Sequence, residues 1–199
     1  MTVVRLKSKG LLIYSAIALT EQGMTELEQL GKPEIIVVPH PFHVMDLPFY
    51  KARYPQIKVL GSKKGEILAG VTVEGDVFTE LKDANISASL APGLKADEVH
   101  LRIKLKDGYA LCVCDIFAGD NSYEPGIGAA IFKSLLGPKG GGFGIARIVQ
   151  WRQIADKPKV KSWVQGLARD AELSMVLVCH GEPLVKDIPA RLGKAADVL

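Results

Sequence analysis

Three observations predict an α/β fold that contains both parallel and antiparallel sheet. The consecutive β-branched run Ile35-Ile36-Val37-Val38 reads as a strand buried on both faces. A helical stretch closing at Tyr54-Pro55 separates it from a second apolar run, Ile57 to Leu60, so strand, helix and strand form one βαβ unit with parallel strands. Farther along, short alternating runs broken by Gly70, Gly75 and Gly108 read as antiparallel sheet.

Taken in order, Val3 to Leu6 and Leu11 to Tyr14 flank the turn Ser8-Lys9-Gly10 and predict an opening β-hairpin. Thr20 can cap a helix with Met24, Leu27 and Leu30 on one stripe, ending at Gly31-Lys32-Pro33. Pro39 stops the strand that follows, because it has no N–H to give a ladder. Asp46 is placed to cap the next helix, which runs through Tyr50 and Ala52 to Arg53. Between Glu66 and Leu90, strands are expected at Ile67-Leu68, Val71 to Val73, Val77-Phe78 and Ile86 to Leu90.

Val99, Leu101, Ile103 and Leu105 alternate with His100, Arg102 and Lys104, the pattern of a half-exposed strand. Lys106-Asp107-Gly108 turns it into the strand Tyr109 to Cys114, which ends at Asp115. Residues 116–146 are irregular, with a helix expected over 127–136 and a glycine run from Gly137 to Gly144. That run has no Gly-Lys-Ser/Thr ending and no strand feeding it, so it reads as a loop, not a phosphate cradle. Val160 to Leu173 is amphipathic, Met175 to Val178 is a buried strand handing over Cys179-His180-Gly181-Glu182-Pro183, and a closing helix carries Ile188, Leu192, Ala195 and Val198.

The chain's 199 residues suit a single domain, 1–199, and 48% hydrophobic content supports a sizeable core. Lys and Arg number 25 against 22 Asp and Glu, spread without long blocks, which argues against a nucleic-acid surface. No stretch approaches the roughly 20 apolar residues of a membrane span, and the apolar run after Arg5, Lys7 and Lys9 is too short for a signal peptide, so a cytoplasmic protein is expected. Three cysteines, with Cys112 and Cys114 on one strand face as small hydrophobes, do not make a disulfide scaffold.

His40, His43 and His180 follow strand ends, and Asp115 terminates another. In open α/β sheets, ligands bind beyond the carboxyl ends of strands. Imidazoles and a carboxylate gathered there would be the ligand chemistry of zinc, iron or manganese. His100, within a strand, is weighed as a fifth donor against an ordinary hydrogen-bonded histidine.

This order of features resembles the metallo-β-lactamase fold superfamily, and more closely a divergent branch of metal-dependent-hydrolase-like proteins, over nearly the whole chain. The resemblance implies a four-layer α/β/β/α sandwich. Against the superfamily's His-x-His-x-Asp-His loop, Val38 stands at the first histidine, His40 at the second, Phe42 at the aspartate and His43 at the last. Asp115 takes the place of the superfamily's strand-end aspartate, His180 that of its final histidine, and His100 is the candidate for its middle histidine without the usual Gly-His-x-x-Gly turn.

Val38 and Phe42 cannot coordinate a cation, so a complete two-metal site is excluded and a di-iron oxidoreductase is disfavoured. The resemblance then implies one divalent metal, zinc first with manganese or iron as alternatives, held by His40, His43, Asp115 and His180. His100, Asp46, Asp120 and Glu182 are additional ligand or supporting candidates. The expected function is a metal-dependent hydrolase with a metal-activated water as nucleophile, acting on a small molecule the sequence does not name. Its rival is a non-catalytic binding or regulatory protein of the same fold that holds no metal. Phe117, Tyr123 and Ile127 are candidates for a contact between copies of the chain.

Overall fold

The computed structural model describes residues 1–120, 137–138 and 142–199, which fall into two compact units, Met1–Ser89 and Leu90–Leu199. The expected helix over 127–136, and Tyr123 and Ile127, lie outside the described residues.

In the first unit, β1 (Thr2–Arg5) and β2 (Leu11–Tyr14) form the antiparallel opening hairpin. Lys9, with φ 72°, makes its turn. The Thr20 hydroxyl accepts the Gly23 N–H at 3.2 Å and so caps α1 (Glu21–Leu30). Met24 and Leu27 are buried, whereas Leu30 is exposed. Three-residue steps fall short of a 3.6-residue turn, so the expected stripe walks round the helix until Leu30 leaves the core face.

The parallel pair is β3 (Pro33–Val37) and β4 (Lys58–Gly61), joined through α2 (Leu47–Arg53). After the hairpin β5 (Ile67–Leu68) and β6 (Val71–Thr72), the short strand β7 (Gly75–Asp76) pairs parallel to β4. The sheet order is β1-β2-β3-β4-β7. Leu11, Ile13, Met24, Ile36, Tyr50 and Val59 form the heart of this unit's core. Val77-Phe78, expected as a strand, instead opens the helical turn α3 (Val77–Glu80). The Asp76 carboxylate accepts the Phe78 and Thr79 N–H groups at 2.8 and 3.1 Å, and that cap overrides the β-propensity of the two residues.

Strand β8 (Ile86–Leu90) ends at the boundary between the two units. In the second unit β9 (Val99–Lys104) and β10 (Tyr109–Cys112) form the expected hairpin, with Lys104 opposite Tyr109 and Leu101 opposite Cys112. A short helix that the sequence reading lacks, α4 (Arg147–Arg152), precedes α5 (Lys157–Arg169). The latter ends four residues before Leu173, which opens β11 (Leu173–Leu177), because Asp170 adopts an extended backbone and turns the chain. Strand β11 pairs parallel to β10, and α6 (Ile188–Asp197) closes the chain. Leu111, Phe117, Val149, Val164, Val176 and Leu192 are buried together here. Within the glycine run, Gly144 exchanges two 2.9 Å backbone hydrogen bonds with Ala118, which pins the end of that loop to the segment after Asp115.

Candidate functional site

In the first unit the chain leaves β3 through Val38 and Pro39 into a turn in which the His43 N–H reaches the His40 carbonyl at 2.9 Å. Pro41 stands at the second position of that turn, where its fixed φ is already suited. His40 is buried, its Nδ1 accepts the Phe42 N–H at 3.3 Å, and the Phe42 ring meets it edge-on at 4.8 Å. The phenyl ring itself is 72% exposed. His43 Nδ1 lies 2.9 Å from the hydroxyl of Ser15, a buried residue just beyond β2 with φ 57°. That left-handed backbone is uncommon away from glycine and asparagine, and it coincides here with an orienting contact to an imidazole. Asp46 does not cap α2. Its carboxylate accepts the Ala18 N–H at 3.0 Å, because a residue whose backbone has already turned, at φ −97° and ψ 6°, aims its side chain away from the helix start.

In the second unit the parallel ends of β10 and β11 bring Asp115 and His180 together, with Nε2 and Oδ1 3.1 Å apart. The Asp115 side chain is largely covered, and His180 is on the surface. The hydrogen bond to Asp115, opposed by partial burial, holds the His180 imidazole above the ordinary histidine range. Gln153, just after α4, donates to the other Asp115 oxygen at 3.3 Å. Beneath the loop lies Glu98, fully buried, whose carboxylate accepts the N–H groups of Cys114, Asp115 and Ile116 at 3.0 to 3.1 Å. Burial, then the charge of Asp115, pushes Glu98 up to about 8 against the pull of those three amides.

The remaining candidates serve other contacts. His100, expected on a polar strand face, is buried because Trp163 of α5 stacks over it with ring centroids 5.5 Å apart. Burial, then Arg102, pushes it down to about 4, and it does not join Asp115 and His180. The Asp120 carboxylate is bound by both oxygens to the Arg191 guanidinium at 2.8 and 2.9 Å. Glu182 is exposed, and its backbone N–H reaches the Asp120 carbonyl at 2.9 Å.

Three residues that the sequence reading passed over therefore support the candidates: Ser15, Glu98 and Gln153. Glu98 had a signal, since the hairpin register that sets Lys104 opposite Tyr109 sets residue 98 opposite residue 115. Next to these candidates, the sulfurs of Cys114 and Cys179 lie within 4.8 Å of each other.

No family model and no curated protein matches the chain. Solved structures do. The metallo-β-lactamase from Pontibacter korlensis aligns over 99% of this chain and 86% of its own, with TM-score 0.60 and 14% identity. The DIM-1 metallo-β-lactamase aligns over 98% and 85%, with TM-score 0.60 and 13% identity. That from Erythrobacter litoralis aligns over 99% and 80%, with TM-score 0.55 and 12% identity. The chain has the metallo-β-lactamase fold, in a divergent form.

Proposed function

We propose that the protein is a metal-dependent hydrolase with a single divalent ion, zinc before manganese or iron. The observation that carries this reading is the Asp115–His180 pair, whose 3.1 Å separation suits two ligands of one cation. Donors each about 2.0 to 2.2 Å from a tetrahedrally held ion lie roughly 3.3 to 3.6 Å from one another, a few tenths of an ångström beyond this separation. Asp115 supplies a carboxylate oxygen and His180 a ring nitrogen. His40 and His43 complete the donor set on the strength of the sequence resemblance. A divalent ion so held would lower the pKa of a bound water and polarise an ester, amide or phosphate oxygen.

The chain's own contribution is orientation. Gln153 holds the second Asp115 oxygen, Glu98 fixes the loop that carries it, and Ser15 fixes the ring plane of His43. The reading takes residues 1–199 as one working domain in the cytoplasm. Among the described residues no helix is long and apolar enough to cross a membrane.

Val38 and Phe42, at positions where the superfamily pattern has donors, favour a second reading: a binding or regulatory protein without metal. Elemental mass spectrometry of the untagged protein after dialysis against zinc, manganese and iron in turn separates the two. The hydrolase reading expects about one equivalent of metal, lost in His180→Ala and His43→Ala, and justifies a screen of ester, thioester and phosphodiester substrates. No bound metal under any of these conditions establishes the second reading instead.

A further inference from the structure

Cys114 and Cys179 carry an inference that does not depend on a metal. In the parallel ladder Ala110 lies opposite Met175, Leu111 opposite Val176 and Cys112 opposite Leu177. The Val113 N–H still bonds the Leu177 carbonyl at 2.9 Å beyond the last of these pairs. The same register, carried two residues on, sets Cys114 opposite Cys179, and their sulfurs lie within 4.8 Å. Neighbouring strands are about 4.8 Å apart, inside the range of Cα separations, about 4.4 to 6.8 Å, that a disulfide spans. All three cysteines of the chain are thiols.

We infer that Cys114 and Cys179 are a redox-responsive dithiol that closes into a cross-strand disulfide when a low-molecular-weight disulfide, such as that of glutathione, oxidises it. The exposure of the two sulfurs sets the order of events. Cys179 is partly exposed, whereas Cys114 is sealed. The Cys179 sulfur, losing its proton, attacks the reagent, whose S–S bond breaks. A mixed disulfide forms on Cys179, and one small thiol leaves with a proton. The Cys114 sulfur then loses its proton and attacks the Cys179 sulfur, forming the intramolecular bond and expelling the second small thiol. Two electrons pass from the protein dithiol to the reagent disulfide, which ends as two thiols.

The new bond would tie the ends of β10 and β11 together one residue before Asp115 and one before His180. Cys112 takes no part, since the register sets it opposite Leu177 and two residues from the Cys114–Cys179 level. Oxidation would therefore act directly on the segment that sets the Asp115–His180 distance.

The test incubates the reduced, folded full-length protein with glutathione disulfide, removes the reagent, unfolds the protein in guanidinium containing iodoacetamide so that every remaining thiol is alkylated, and maps peptides by mass spectrometry without reduction. The expected product is a Cys114–Cys179 link with Cys112 alkylated. Cys112→Ser should form the same link, and Cys114→Ser should stop at the glutathione adduct on Cys179. A wild-type protein that stays at the adduct, links through Cys112, or keeps all three thiols while its circular dichroism remains native would overturn the inference. Cys179→Ser provides the complementary control, since it should take up no glutathione.

Discussion

His100 illustrates how a side chain's chemistry is set by what covers it. Its sequence position, between apolar Val99 and Leu101 and in step with Arg102 and Lys104, assigned it to the polar face of β9. Trp163, 63 residues farther along, covers that face at His100, while Arg102 and Lys104 stay exposed. No local pattern announces a cover contributed by another element, and for the same reason Ser15 and Gln153 were invisible beside His43 and Asp115. Glu98 was legible in principle, since hairpin register alone sets it opposite Asp115, but its buried state was not. The consequence for His100 is a pH dependence whose sign follows from linkage. Its folded pKa, about 4, lies below the ordinary histidine value of 6.5, so the unfolded chain binds more protons throughout that window. Stability is then full above pH 6.5 and falls as the pH drops toward 4, by up to about 3 kcal/mol at roughly 1.4 kcal/mol per pH unit. Urea unfolding at pH 7 and at pH 4.5 checks this against His100→Phe, which keeps a ring over Trp163 and cannot titrate. The variant should lose less stability on acidification than the parent. An equal loss in both would remove His100 as the cause.

At the scale of elements the sequence was most reliable where turn chemistry and hydrophobic run agreed. The opening hairpin, the β3–α2–β4 unit, the β9–β10 hairpin and the closing helix all stand close to where their punctuation puts them. It was least reliable where a single side chain decided. Asp76 converts Val77-Phe78 from strand to helix by capping, and Asp46, placed by sequence to cap α2, ties down Ala18 instead. Glycine shows the same distinction between local and tertiary constraint. Gly108 in the β9–β10 turn and Gly65 after β4 share a φ of 86°, yet a Cβ on Gly108 would run into the Glu172 carbonyl and the Ser174 hydroxyl, while one on Gly65 meets nothing within 4 Å. Each change to alanine incurs the left-handed backbone penalty of about 1 to 2 kcal/mol. Gly108→Ala must in addition displace the turn that leads into β11, so it should be the more destabilising by at least roughly 1 kcal/mol in urea unfolding. Equal losses would show that the turn yields at no cost and that backbone conformation alone governs both sites.

At the scale of the whole molecule, fold and function separate. A chain can keep a metallo-β-lactamase fold at 12 to 14% identity because the fold needs only apolar strands in the right order and turns between them. The chemistry needs particular donors, and the sequence resemblance sets Val38 and Phe42, which cannot coordinate a cation, at two of those positions. Whether the remaining donors still hold an ion has a thermodynamic signature that is independent of turnover. An ion that binds the native state and not the unfolded chain stabilises it by RT ln(1 + [L]/Kd), about 2.7 kcal/mol when the free ion stands at a hundred times its Kd. For a chain of this size that corresponds to a rise in Tm of roughly 5 to 10 °C. Zinc added to chelator-treated protein should therefore raise Tm by this amount, and excess chelator should restore the lower value. His180→Ala, which removes an exposed candidate donor and leaves the core intact, should keep the chelated protein's Tm and lose the response. A zinc response that survives His180→Ala would place the ion elsewhere on the molecule, and a parent that does not respond at all would leave Asp115 and His180 as an ion pair on a fold whose hydrolytic chemistry has gone.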